Sequence, residues 1–106
     1  MDHQSFALTA VAPGHLLALT GRLDVSAATD ARLALAAAVD DGQGDLVLDL
    51  AALETVDVTG LGVLVSAHRL ARRAGRSLVL RDAPPVVGRL LLRTRLDRVL
   101  RQDTVA

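Results

Sequence analysis

Asp57, Thr59, Gly60 and Gly62 stand together in "TVDVTGLGVLV", where a strand-like run hands over to a helical one. An acid and a hydroxyl at such a turn can do one of two things. If a helix begins near Gly60, Thr59 sits at or beside its N-cap and can accept a bond from an early helical N–H. Asp57 is then a favourable charge at the positive helix end. The same hydroxyl can instead accept a phosphoryl group, which brings roughly −1.5 to −2 charges. Unpaired helical N–H groups tolerate that charge, while Asp57 repels it. Residue types alone leave both readings open.

Other chemistries lack their parts. The chain contains no lysine, so it cannot build a P-loop or the phosphoacceptor site of a response-regulator receiver. "GLG" (Gly60 to Gly62) lacks the third glycine of a dinucleotide fingerprint. His3, His15 and His68 have no ligand-like spacing for zinc, and the absence of cysteine removes disulfides and thiolate metal sites. No nucleophile stands with a base. The expectation is therefore no catalytic residue, no metal and no cofactor. Formal net charge is zero, which offers nucleic acid no bulk attraction. Arginines do crowd the stretch from Arg69 to Arg101, as a solvated face or as a surface for an acidic partner.

The elements that must position Asp57 and Thr59 follow from length and pattern. A chain of 106 residues makes a single domain, 1–106, with a modest two-layer core. No apolar run approaches the ~18 to 20 residues of a membrane span, and "MDHQSF" is unlike a signal peptide. A cytoplasmic domain with no membrane association is expected. Phe6 to Ala12 and His15 to Thr20 read as strands flanking a "PG" turn, hence an antiparallel hairpin. Ser26 stands where it would cap a helix over Ala27 to Asp41, whose Ala28, Ala31, Leu35, Ala38 and Val39 share one side. Asp45 to Leu50 is a short apolar strand. A second helix runs from about Gly60 to Ala74 and is stopped by Gly75. Ser77 to Asp82 is a strand. Proline opens a third helix, with Val87, Leu90, Leu91 and Thr94 on one side. Leu96 to Arg101 closes with a last short strand. Strand–helix–strand units joined by short loops imply parallel pairing. The fold class is α/β: a mixed, mostly parallel five-stranded sheet with an initial hairpin and three helices.

On the second helix, Val63, Leu64, Ala67, Leu70, Ala71 and Ala74 share one arc at ~100° per residue and should face the sheet. Leu61, Val65, His68 and Arg72 form a separate stripe. Leu61 and Val65 are either the margin of a wide buried arc or the apolar centre of a partner surface with Thr59 at its rim.

"LVLDLAALETVDVTGLGVLVSAHRLARRAG" resembles the signature of the STAS domain, as found in bacterial anti-sigma factor antagonists. "GRLDVSAA" resembles the family's segment ahead of its first helix, and "LVLRDAPPVVGRLLLRTRLDRVL" its later strand, helix and closing Leu-Asp. The resemblance spans nearly the whole chain. It implies a two-layer STAS fold, with Thr59 at the phosphorylated position. Asp24 stands at a loop acid near that site, and Asp57 at the acid opening the motif. Together with Val58, Gly60, Leu61 and Val65 these make a candidate partner surface. The implied partners are an anti-sigma factor that is a serine-protein kinase, and a serine/threonine phosphatase. Unmodified, such a domain binds the anti-sigma factor and frees a sigma factor to regulate transcription; phosphorylated, it dissociates. It is a switch, not an enzyme, and a monomer or weak dimer. Two other roles within the resemblance are a stressosome-like scaffold and an accessory subunit of an ABC transporter. The chain departs from the pattern at Val58, where serine is common, and at Thr59 itself, usually serine. It departs again at Arg95, where glycine often ends the third helix. A left-handed arginine would cost ~1 kcal/mol, so that helix is expected to end differently. The C-terminal helix of some relatives is expected to be absent or vestigial.

Overall fold

The computed structural model describes residues 5–103; His3 and the extreme termini lie outside that range. The chain runs β1 (Ala7–Ala12), β2 (Leu16–Leu23), α1 (Ala28–Asp40), β3 (Leu46–Val56), α2 (Val58–Arg73), β4 (Leu78–Arg81), α3 (Pro85–Arg93), a 3₁₀ turn (Leu96–Arg98) and β5 (Arg101–Asp103). The strands form a five-stranded sheet in the order β1-β2-β3-β4-β5. β1 and β2 are antiparallel; the remaining pairs are parallel. Each parallel connection steps the same way across the sheet, so right-handed crossovers place α1, α2 and α3 on one face.

Period-two burial confirms two layers. Leu17, Leu19 and Leu23 of β2, Leu46, Leu48 and Leu50 of β3, and Leu78 and Leu80 of β4 enter one core cluster with Ala31, Leu35, Leu64, Ala71, Val87 and Leu91 from the helices. Val79 is buried but lies outside that cluster, because its side chain points to the other face. There Asp49 and Arg81, paired in register on β3 and β4, form an ion pair at 3.6 Å.

Several boundaries differ from the sequence reading. α1 buries the five residues expected of it. It begins at Ala28 with no side-chain cap, because the Ser26 hydroxyl donates to Asp24 Oδ1 at 2.6 Å instead. β3 continues to Val56 rather than stopping at Leu50, because β2 offers it partners as far as the pair Leu23 and Val56. The segment after α3 is a 3₁₀ turn, and the last strand starts only at Arg101. Arg95 does take the left-handed conformation, with φ 61°, against expectation. The reversal there lets the Leu100 N–H reach the Leu96 carbonyl at 2.8 Å and buries Leu100 in the core, which offsets the cost of the bend. In the hairpin, Gly14 takes φ +74°, as the "PG" turn requires.

Among the described residues, Arg76 is the single charged residue that is buried. Its Nε donates to the Gly44 carbonyl at 2.9 Å, and Nη1 donates to Ala38 and Val39 carbonyls at 3.0 Å each. Nη2 donates to the carbonyls of Gly14 and Asp45. α1 has no basic residue in its last turn. Arg76 supplies that positive charge from far along the chain and ties the helix end to the hairpin turn and the entry of β3.

Candidate functional site

The site forms where β2 and β3 end side by side. Their last residues, Leu23 and Val56, are register partners. The Leu23 carbonyl accepts the Asp57 N–H at 3.3 Å. β3 therefore delivers the chain straight into α2, and the loop carrying Asp24 leaves from the neighbouring strand.

Asp57, not Thr59, caps α2. Its backbone is extended (φ −99°, ψ −174°) and its Oδ1 accepts the Gly60 N–H at 2.8 Å. The Asp57 carbonyl accepts the Leu61 N–H at 2.9 Å, so the helix is engaged from its first turn. The helix begins at Val58, two residues earlier than expected, because an aspartate two positions upstream of Thr59 satisfies one of the orphan donors, the Gly60 N–H. Thr59 is thereby released from the capping role the sequence allowed it. It lies half-buried in the first turn, and its hydroxyl has no hydrogen-bond partner among the described residues.

Gly60 explains the glycine that follows. A β-carbon there would collide with the Leu23 carbonyl oxygen and stand 2.9 Å from Val56 Cγ1. Only a residue without a side chain lets α2 start this close to β2. Gly62 has open space by comparison; its nearest neighbour is Arg32 Nη2, 3.8 Å from the β-carbon position.

Asp24 organises its own turn. Oδ1 accepts the Ser26 N–H at 3.0 Å as well as the Ser26 hydroxyl, and the Asp24 carbonyl accepts the Ala27 N–H at 3.1 Å. The hydroxyl bond is the main reason its carboxyl is held below the usual value, with Arg22 assisting. The acid is thus ionised and fixed at the same end of the sheet as Asp57.

The expected partner surface divides. Asp57 and Val58 are exposed, Val58 to 77%. Asp24, Thr59 and Val65 are half-buried, and Val65 packs against the core. Gly60 and Leu61 are buried, Leu61 to 3% exposure. Leu61 therefore belongs to the core and not to a surface stripe. α2 starts earlier than expected, so Leu61 already lies over the ends of β2 and β3. The exposed apolar residue beside Thr59 is Val58. Val25, 72% exposed on the Asp24 loop, is a second one that the sequence reading passed over, although a valine between Asp24 and Ser26 was its signal. Arg32 was also missed. Its Nη1 donates to Ser66 Oγ at 2.8 Å, linking α1 to α2 across a separation in sequence that no local pattern marks.

Among the described residues there is no group of acids and histidines able to hold a metal, and no helix is long and apolar enough to cross a membrane.

A family model described as "Mlab, STAS domain" matches residues 7–102. A search of the curated proteins gave no match. Among solved structures, an anti-sigma factor antagonist from Mycobacterium paratuberculosis is similar at 25% identity and TM-score 0.72, over 92% of this chain and 83% of that one. The anti-sigma factor antagonist SpoIIAA in its unphosphorylated form is similar at 18% identity and TM-score 0.75, over 96% and 89%. The phosphorylated form of SpoIIAA, a Bacillus cell fate determinant, is similar at 17% identity and TM-score 0.70, over 96% and 92%.

Proposed function

The chain belongs to the STAS domain family, and on that premise we propose that it is an anti-sigma factor antagonist switched by phosphorylation of Thr59. It is a binding protein, not an enzyme, and acts in the cytoplasm. Unmodified, it presents Val58 and Val25 as apolar contacts, with Asp24 and Asp57 as fixed charges between them, to an anti-sigma factor that is also a serine-protein kinase. Binding frees a sigma factor. The kinase then directs the Thr59 hydroxyl oxygen at the γ-phosphorus of its ATP. The new O–P bond forms, the bond to the bridging oxygen breaks, ADP leaves, and a kinase base takes the hydroxyl proton. The phosphate carries roughly −1.5 to −2 charges. It stands one residue from Val58, a side chain that must lose its water for the partner to bind, and so the partner is released. A serine/threonine phosphatase restores the first state.

One observation carries this reading. Asp57 caps α2, so the Thr59 hydroxyl is half-exposed, at a helix N-terminus, and without a structural bond to lose. SpoIIAA, similar in fold, exists in both phosphorylated and unphosphorylated forms. The test is incubation with an ATPase-fold anti-sigma factor and Mg-ATP, followed by mass spectrometry. Phosphate on Thr59 and loss of the complex are expected, with Thr59→Ala remaining bound. A phosphate on Ser66 or Ser77 with Thr59 unmodified overturns the proposal.

A further inference from the structure

We infer that Arg32 is the internal counter-ion of the modified domain: it leaves Ser66 and pairs with a phosphate on Thr59. This rests on the reading of Thr59 as the modified residue. Thr59, Gly62 and Ser66 stand at i, i+3 and i+7, one stripe along α2. At ~1.5 Å per residue, Gly62 is about 4.5 Å and Ser66 about 10.5 Å further along the axis than Thr59. The guanidinium of Arg32 lies over this stripe. One end is bonded to Ser66 Oγ, and the other, Nη2, is 3.8 Å from the β-carbon position of Gly62. Its second terminal nitrogen thus lies beside Gly62, the stripe position between Ser66 and Thr59. Gly62 carries no side chain to stand between them.

The exchange favours phosphate. Arg32 has no carboxylate partner among the described residues, and its present acceptor is a neutral hydroxyl. A phosphate offers three charged oxygens, which the planar guanidinium can bind two at a time, and charge-assisted bonds of this kind are roughly twice as strong as neutral ones. The other charged groups placed by the chain at this end are Arg22 and Asp24 from β2 and its loop, Glu54 near the end of β3, Asp30 from α1 and Asp57 at the head of α2. Four of those five are acids. Without Arg32 the phosphate would face mainly like charge. The exchange also carries the signal into α1, because the bond it breaks is the hydrogen bond joining α1 to α2 beside the exposed Leu33.

The test places phosphothreonine at position 59 by genetic incorporation, so that no kinase is needed. The second ionisation of the phosphate is followed by ³¹P NMR in the parent, in Arg32→Gln and in Arg69→Ala. Glutamine still reaches toward Ser66 as a donor, so the first variant removes charge and keeps the seam. The expected result is a phosphate pKa higher by at least about half a unit in Arg32→Gln than in the parent, and unchanged in Arg69→Ala. Titration curves that coincide in parent and Arg32→Gln overturn the inference, as does an equal shift in Arg69→Ala. Mass spectrometry of the protein from its own cells reads separately whether Thr59 is modified there.

Discussion

Gly60 and the Leu23 carbonyl are in such close approach that a methyl group cannot be placed between them. Leu23 ends β2 and Gly60 lies in the first turn of α2, so this contact sets the distance between the Asp24 loop and Thr59. Gly60→Ala is expected to force the two apart, at a cost of about 1–3 kcal/mol in unfolding free energy. The amide resonances of Asp24 to Ala27 should move in the variant, since their strand end is what gets pushed. Unchanged stability and unchanged shifts would mean that the helix start is more yielding than this packing implies.

Capping separates Asp57 from Thr59. Asp57→Ala removes the acceptor of the Gly60 N–H and should cost about 1 kcal/mol in denaturant unfolding, whereas Thr59→Ala should stay within about 0.5 kcal/mol of the parent. The reverse order of effects would return the cap to Thr59.

Val58 and Leu61 are three positions apart and differ in kind. Leu61→Ala should lose about 2–5 kcal/mol of stability, as a fully packed leucine does. Val58→Ser should leave stability within about 0.5 kcal/mol and weaken anti-sigma factor binding several-fold. Calorimetric titration of folded Val58→Ser decides this. Undiminished affinity would remove Val58 from the interface.

Arg76→Met would bury no charge, but it would take their Arg76 donor from the carbonyls of Gly14, Val39, Gly44 and Asp45, and leave the Ala38 carbonyl with the Asp41 N–H alone. A loss of at least about 3 kcal/mol is expected. Arg76→Lys should recover little of it, because a single ammonium cannot span acceptors on three segments. The measurement is chemical denaturation of both variants.

His68 is held below the ordinary histidine value of 6.5, first by burial and then by Arg72 and Arg69. Its Nδ1 is buried without a hydrogen-bond partner. Above pH 6.5 the imidazole is neutral in both folded and unfolded chains and costs nothing. Below it the unfolded chain takes up a proton that the fold resists, so stability should fall as pH drops through that value. His68→Gln should flatten the decline between pH 7.5 and 5.5. An equal decline in the variant would assign it to other groups.

Much of this molecule could be read along the chain, because its signals are local. Period two in "LVLDL" and period 3.6 in α1 each need only neighbouring residues. The "PG" turn needs only the φ preferences of its own two residues. The Asp-x-Thr-Gly-Leu-Gly run marks the site for the same reason: acid, hydroxyl and glycine must follow one another where a strand becomes a helix. The sequence alone could not decide which of Asp57 and Thr59 caps that helix. That depended on β3 continuing to Val56, and hence on its pairing with β2. Nor could it separate Leu61 from Val58, since the first turn of α2 meets the strand ends at an angle that no helical wheel contains. Arg95 turned left-handed because a buried Leu100 stands beyond it. Arg32 with Ser66, and Arg76 with five distant carbonyls, are contacts across more than thirty residues. Hydrophobic periodicity and propensity act over a turn or two of chain; such contacts exist only once the layers have packed, and so only the tertiary structure could decide them.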